Sequence, residues 1–129
     1  MKSFLFAFGV LLLCSLLVFI NAYCVSTTIK RTYHDLISMG TPTDFSNTFS
    51  FDENIAAIKK LETEWQKKIH FISYSVSHED LHEVTTLIGK LKGATESKNE
   101  SNYAIYYHAL CVSLQHLEKS AALCIDNIF

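Results

Sequence analysis

With 129 residues and a formal charge of −2, the chain has room for one folded unit and offers no basic field for nucleic acid. One Pro, four Gly and no low-complexity run leave few points at which secondary structure must break. Once the first twenty or so residues are set aside, about a hundred remain, a length at which a core is thin and partner contacts or a membrane surface add to stability.

Phe4 to Tyr23 carries no charge and consists almost entirely of Phe, Leu, Val, Ile and Ala. As a helix it reaches roughly 30 Å, the thickness of a bilayer's hydrocarbon core. This predicts a transmembrane helix with the membrane as its first partner, through residues 4–23. A cleavable secretory signal is the alternative, because Lys2 precedes the apolar run and small residues follow it. The run exceeds the usual signal length of about 7 to 15 residues, which favours a retained anchor. Cutting after Ala22 would place bulky Ile20 at minus three, whereas cutting after Cys24 would present Ala22 and Cys24 and is tolerable. Neither Cys14 nor Cys24 follows a small residue, so no lipidation is read. Lys2 on one side balances Lys30 and Arg31 on the other, and the short tail bearing Lys2 places the carboxy-terminal domain outside the cytoplasm.

The same helix continues beyond the apolar run, since Ile29, Tyr33, Leu36 and Met39 keep spacings of four and three. Gly40 supplies a left-handed cap and Pro42 forbids continuation. Thr27, Thr28 and Thr32 make this stretch weak by propensity, so it needs neighbours. Residues 40–49 form a linker whose Phe45, with Phe49 and Phe51, is expected to tuck against the helices.

Three helices follow, at about 51–75, 78–93 and 98–126. Each opens on a hydroxyl followed three residues on by a carboxylate: Ser50 and Glu53, Ser77 and Asp80, Ser97 and Glu100. Ile55, Ile58, Trp65, Ile69, Ile72 and Val76 form the second helix's stripe, with Leu61 flanking it and an interruption at Glu62. Leu81, Val84, Ile88 and Leu91 form the third, ending around Gly93. Tyr103, Tyr107, Leu110, Leu114, Leu117, Ala121, Cys124 and Ile128 form the fourth, stepping by four and three throughout. That stripe suits packing within the chain or a homo-oligomer equally well. The predicted architecture is all-α: an anchor and juxtamembrane helix over 1–39, the linker, then an antiparallel three-helix bundle over 50–129, with the outer end of helix one as a candidate fourth member. Cys111 and Cys124, thirteen residues apart on one helix, stand about 20 Å from each other and cannot pair within it.

One stretch carries a chemical signature. His78-Glu79-Asp80-Leu81-His82 is H-E-x-x-H, in which two His one turn apart ligate zinc and the Glu acts as general base on its water. A zinc-dependent hydrolase therefore stands as an alternative function. Such a site also needs a third ligand, for which Glu96, Glu100 and Glu118 are the candidates, and a cleft to align substrate. The extended motif has Gly three residues after the second His, where this chain has Thr85. Glu79 and Asp80 are also what the dipole of a helix start favours. No catalytic, metal or cofactor-binding residue is assigned, and the chain is expected not to be an enzyme. Tyr103, Tyr106 and Tyr107 are read as packing, and His70, His108 and His116 as packed or surface residues.

The apolar leader, central Trp65, His78-Glu79, His116-Leu117 and the ending Asn127-Ile128-Phe129 resemble a small family of Gram-positive bacterial proteins known only as a domain of unknown function. The resemblance extends over nearly the whole chain and implies a location and a helical fold without a catalytic residue; in that family the position matching His82 is usually not His. The expected function is that of a single-pass membrane accessory protein binding another membrane or envelope protein.

Overall fold

The computed structural model describes residues 1–42 and 49–126, with side chains through Ala122. Its elements are α1 (Lys2–Ser38), α2 (Phe51–Ile72), α3 (His78–Glu96) and α4 (Glu100–Asp126), with no strand among the described residues. α1 runs for 37 residues without a break, about 55 Å. Its amino-terminal half stands free of the other helices, and burial begins abruptly at Val25.

From Val25 onward α1 is a full wall of a four-helix bundle. Each helix packs on two neighbours, α1 on α2 and α4, α3 on α2 and α4, and the diagonal pairs do not approach. Neighbours run antiparallel, as the polar contacts between them record. Glu62 and Lys59 of α2 meet Lys92 and Glu96 of α3, while Lys30 and Tyr33 of α1 meet Glu118 and Gln115 of α4. The outer part of helix one, the candidate fourth member, joins the antiparallel bundle, because Val25, Ile29, Thr32, Leu36 and Met39 make one buried stripe facing α2 and α4. The Thr32 hydroxyl is buried without cost to the fold, donating to the Thr28 carbonyl one turn back at 3.0 Å.

The stripe of α4 is buried as read from Tyr103 to Ala121, and that of α3 from Leu81 to Leu91, with Ala94 and Thr95 extending it past Gly93 to the helix end. Cys124 and Ile128 lie outside the residues whose side chains are described, as does Phe45. In α2 the register differs from the expected one. Asn54, Ile58, Leu61, Trp65 and Ile72 are buried, whereas Ile55 and Ile69 lie half-buried at the edge of the stripe and Val76 follows the helix. Leu61 is thus core and Glu62 interrupts nothing; it sits beside the stripe and accepts from Lys92 Nζ at 2.8 Å, an ion pair that raises the lysine's pKa through that hydrogen bond and the facing charge.

Trp65, the largest fully buried side chain, donates its indole N–H to Thr85 Oγ1 at 2.9 Å, and that hydroxyl donates in turn to the Leu81 carbonyl at 2.8 Å. Both polar hydrogens in the α2–α3 seam are therefore satisfied. At the opposite end from the apolar run, Phe49 and Phe51 close over Tyr103, with ring centroids 4.9 and 5.9 Å from it. The Tyr103 hydroxyl donates to the Gly40 carbonyl.

The helix ends show which local signals held. Gly40 takes φ +92° after α1, the left-handed cap expected of it. Ser50 Oγ accepts from the Glu53 amide at 3.4 Å. Ser77 occupies the capping position of α3 but makes no side-chain cap bond. The third capping pair is displaced: Ser97 closes α3, Lys98 adopts φ +54°, and Asn99 caps α4 by accepting from the Asn102 amide at 3.0 Å. The Asn99 amide returns to the Ala94 carbonyl and the Lys98 amide to that of Thr95, a Schellman closure.

Tyr107 is the exception to polar satisfaction in the core. Among the described residues its hydroxyl is the buried side-chain polar atom without a well-formed hydrogen bond. The Cys111 thiol beside it, one turn on, is a weak partner. Burial, with smaller contributions from Cys111 and Tyr33, pushes the Tyr107 phenol up to about 12. Burial raises Tyr103 as well.

Three outcomes are expected. Ile29→Ala, at a fully buried site of α1, should destabilise the bundle by about 2–5 kcal/mol in denaturant melts, as a core truncation does and a change in a mere tether does not. Lys98→Gly should stabilise by about 1 kcal/mol by relieving the left-handed conformation of a residue bearing Cβ, offset only by an exposed pairing with Asp52. Tyr107→Phe should also stabilise at neutral pH, by about 1 kcal/mol, because it removes the unmatched hydroxyl. Since the folded-state pKa of Tyr107 lies above the ordinary 10, its contribution is complete below pH 10 and is lost as pH rises through about 12. Denaturation midpoints should fall across that window and fall less in the variant.

Candidate functional site

The H-E-x-x-H stretch forms the first turn and a half of α3, at the end of the bundle from which the apolar run projects. Its placement follows from local chemistry: Ser77 precedes the helix, and Glu79 and Asp80 fall in the first turn, where the amide dipoles favour negative charge. His78 and His82 are both exposed. They line one shallow groove of about 330 Å³ together with His70 and Ser73 from the end of α2, over a floor of Ile69, Leu81 and Thr85. The short connection after α2 is what brings His70 beside the other two, a juxtaposition not anticipated from its position in the sequence.

Sharing a groove is not convergence. Among the described residues no three His, Cys, Asp or Glu side chains come together in an arrangement able to hold a metal ion. The third-ligand candidates stand elsewhere. Glu96 closes α3 some 27 Å from His78 and faces Lys59, and Glu100 opens α4 at that same far end. Glu118 lies nearer in height but turns toward Lys30 of α1, at 3.7 Å. His116 of α4 approaches Asp80 at 4.0 Å, so it faces the variable position of the motif and not the pair of histidines. Thr85, standing where the extended zinc motif has Gly, is engaged by the Trp65 indole.

The remaining reactive groups are equally uncommitted. Cys14 and Cys24 are free and exposed on α1, and Cys111 is free and half-buried. Burial pushes the Cys111 thiol up, partly offset by the Tyr107 hydroxyl, which makes it a poor source of thiolate. Tyr106 is half-buried with Lys90 Nζ 5.8 Å above its ring, a packing arrangement. A second hollow, lined by Met39, Gly40, Phe49, Glu53 and Asn54, has Glu53 as its carboxylate among the described residues.

No curated protein and no solved structure matches the chain. A family model described as a domain of unknown function (DUF4363) matches residues 26–128. The matched region is the bundle itself: it begins one residue after Val25, where α1 becomes buried, and takes in the buried half of α1 with all of α2, α3 and α4. The chain belongs to the DUF4363 family.

Proposed function

We propose that the protein is a non-enzymatic, single-pass membrane accessory protein whose bundle, on the extracytoplasmic side, binds another membrane or envelope protein. The observation that carries this reading is the continuity of α1. One helix is long and apolar enough in its amino-terminal half to cross a bilayer and, without a break, supplies a core stripe to the bundle in its second half. Retention of the anchor is supported by the same geometry. Cutting after Cys24 would turn Val25, 1% exposed in the core, into a charged amino terminus, and would remove Asn21, whose amide donates to Ser75 Oγ in the α2–α3 turn.

A surface for a protein partner is available on α4. Ile105 and Val112, two turns apart on one face, are 60% and 65% exposed, off the buried stripe that runs from Tyr103 to Ala121. Among the described residues His70, His78 and His82 line the open groove without forming a group able to hold a metal ion.

The test is co-purification of the tagged full-length chain, crosslinked in the membranes of its native host, beside an Ile105→Glu/Val112→Glu variant whose circular dichroism melt matches the parent. A near-stoichiometric protein partner is expected with the parent and lost with the variant. Retrieval of no protein by the parent would overturn the accessory reading, and a mature mass beginning at Val25 would overturn the anchor.

A further inference from the structure

The lower end of the bundle carries aromatic side chains that the core does not use. Phe71, in the last turn of α2, is 77% exposed, and Tyr74, in the α2–α3 turn, is 91% exposed. Their height relative to the apolar run is set by two observations. The Asn21 side chain bonds to Ser75, which levels the turn with the end of the run. Phe71 also lines a cavity of about 450 Å³ together with Leu17, Ile20 and Cys24. Leu17 lies six residues inside the end of that run, about 9 Å toward the middle of the span. The cavity runs along α1 from Leu17 to Thr28, and Phe71, in the last turn of α2 just before Ser75, borders it close to the end of the run, at the hydrocarbon edge wherever residues 4–23 cross.

The cavity is graded in polarity along its length. Leu17, Ile20 and Phe71 line its lower end; Thr28 stands about two turns above Ile20 on α1, and Lys68 about one turn above Phe71 on α2. Lys68 is held 3.8 Å from Glu64, one turn up α2, and keeps some of its side chain in solvent. An apolar trough with an ammonium group above it matches an acyl chain below a phosphate. Tyr23, 67% exposed on α1, completes an aromatic set at this level with Phe71 and Tyr74, and aromatic residues gather at membrane interfaces for the same reason.

We propose that the end of α2 and the α2–α3 turn form a second membrane contact, in which Phe71 and Tyr74 enter the bilayer interface and one phospholipid lies between α1 and α2, its acyl chain against Leu17, Ile20 and Phe71 and its phosphate toward Lys68. The inference rests on the reading of residues 4–23 as a retained span. The bundle then stands on the membrane at two points, and the His70, His78 and His82 groove opens at the headgroup level.

The experiment uses the full-length chain reconstituted in phospholipid vesicles whose acyl chains carry bromine, a short-range quencher of tryptophan. Phe8→Trp reports the span, Phe71→Trp and Tyr74→Trp report the proposed contact, and Ile105→Trp reports the far side of the bundle, each read against the Trp65 signal of the unaltered chain. All four sites are exposed, so the added ring displaces no core residue. Loss of fluorescence is expected at positions 8, 71 and 74, with none at 105. Loss at 8 alone would overturn the second contact and leave the anchor standing, whereas loss at none would overturn the anchor and the contact together. Equal loss at 71 and 105 would also overturn the proposal, because the bundle would then lie on its side against the lipid.

Discussion

Everything in this fold hangs on one unbroken stretch of backbone, the helical turns of α1 on either side of Cys24 and Val25. No Gly or Pro occurs between Gly9 and Gly40, so the helix has no sequence-encoded hinge where it passes from exposed to buried. A helix without a hinge transmits its direction. The tilt of the apolar run is the tilt of the bundle, and the distance between them cannot be lengthened by a flexible linker. The Asn21–Ser75 contact is a consequence, since a side chain in the last turn of the run can reach the α2–α3 turn only if the bundle begins at once.

The bundle that begins there is held by apolar stripes and kept specific by local polar satisfaction. Thr32, Thr85 and Thr95 each donate to a carbonyl one turn back on their own helix, and Thr85 accepts from Trp65 besides. Threonine in these positions costs helix propensity but buries no unmatched hydroxyl. The ion pairs lie outside the stripes, on surfaces where each contributes little, and their value is in the antiparallel register they describe. Tyr107 alone breaks the pattern among the described residues, on the stripe where α4 meets its neighbours.

Much of this was legible because α3 and α4 obey a single rule. From Leu81 to Ala94 and from Tyr103 to Ala121 their buried residues are spaced by three and four and are apolar or aromatic, so hydropathy alone locates the core face; buried Thr95, at the end of α3, is a polar addition. In α2 the rule fails at both margins. Asn54 is buried and polar, invisible to a hydrophobic count, while Ile55 and Ile69 are apolar but half-buried, and counting them rotates the stripe by about one position away from Leu61. The helix starts show a similar limit. A hydroxyl three residues before a carboxylate marks a start only approximately, and at the third site the chain closes α3 through Ser97 and passes the capping role to Asn99. The H-E-x-x-H motif was legible as spacing and not as geometry. His78 and His82 do lie one turn apart, but whether a third ligand converges depends on the order of helices around the bundle, which no local pattern encodes. The aromatic residues at the base were missed because exposed Phe and Tyr gain meaning only from their height beside α1.

The role of α1 also redraws the boundary of the folded unit. A linker after Met39 suggests that a fragment beginning near Thr43 would hold the whole bundle, yet α4 packs against α1 as well as α3, and α2 likewise rests on α1. Removing α1 would open one of four walls and expose the faces of α2 and α4 that it covers, including the surroundings of Ile29 and Leu36, both fully buried. In a domain this small, losing one helix's share of the apolar burial is comparable to the whole net stability. The family match beginning at residue 26 agrees with that physical boundary: the smallest unit with four walls starts at the foot of the buried half of α1, one step from the apolar run. The apolar run and the bundle therefore meet inside a helix and not at a linker, so the direction of one fixes the direction of the other.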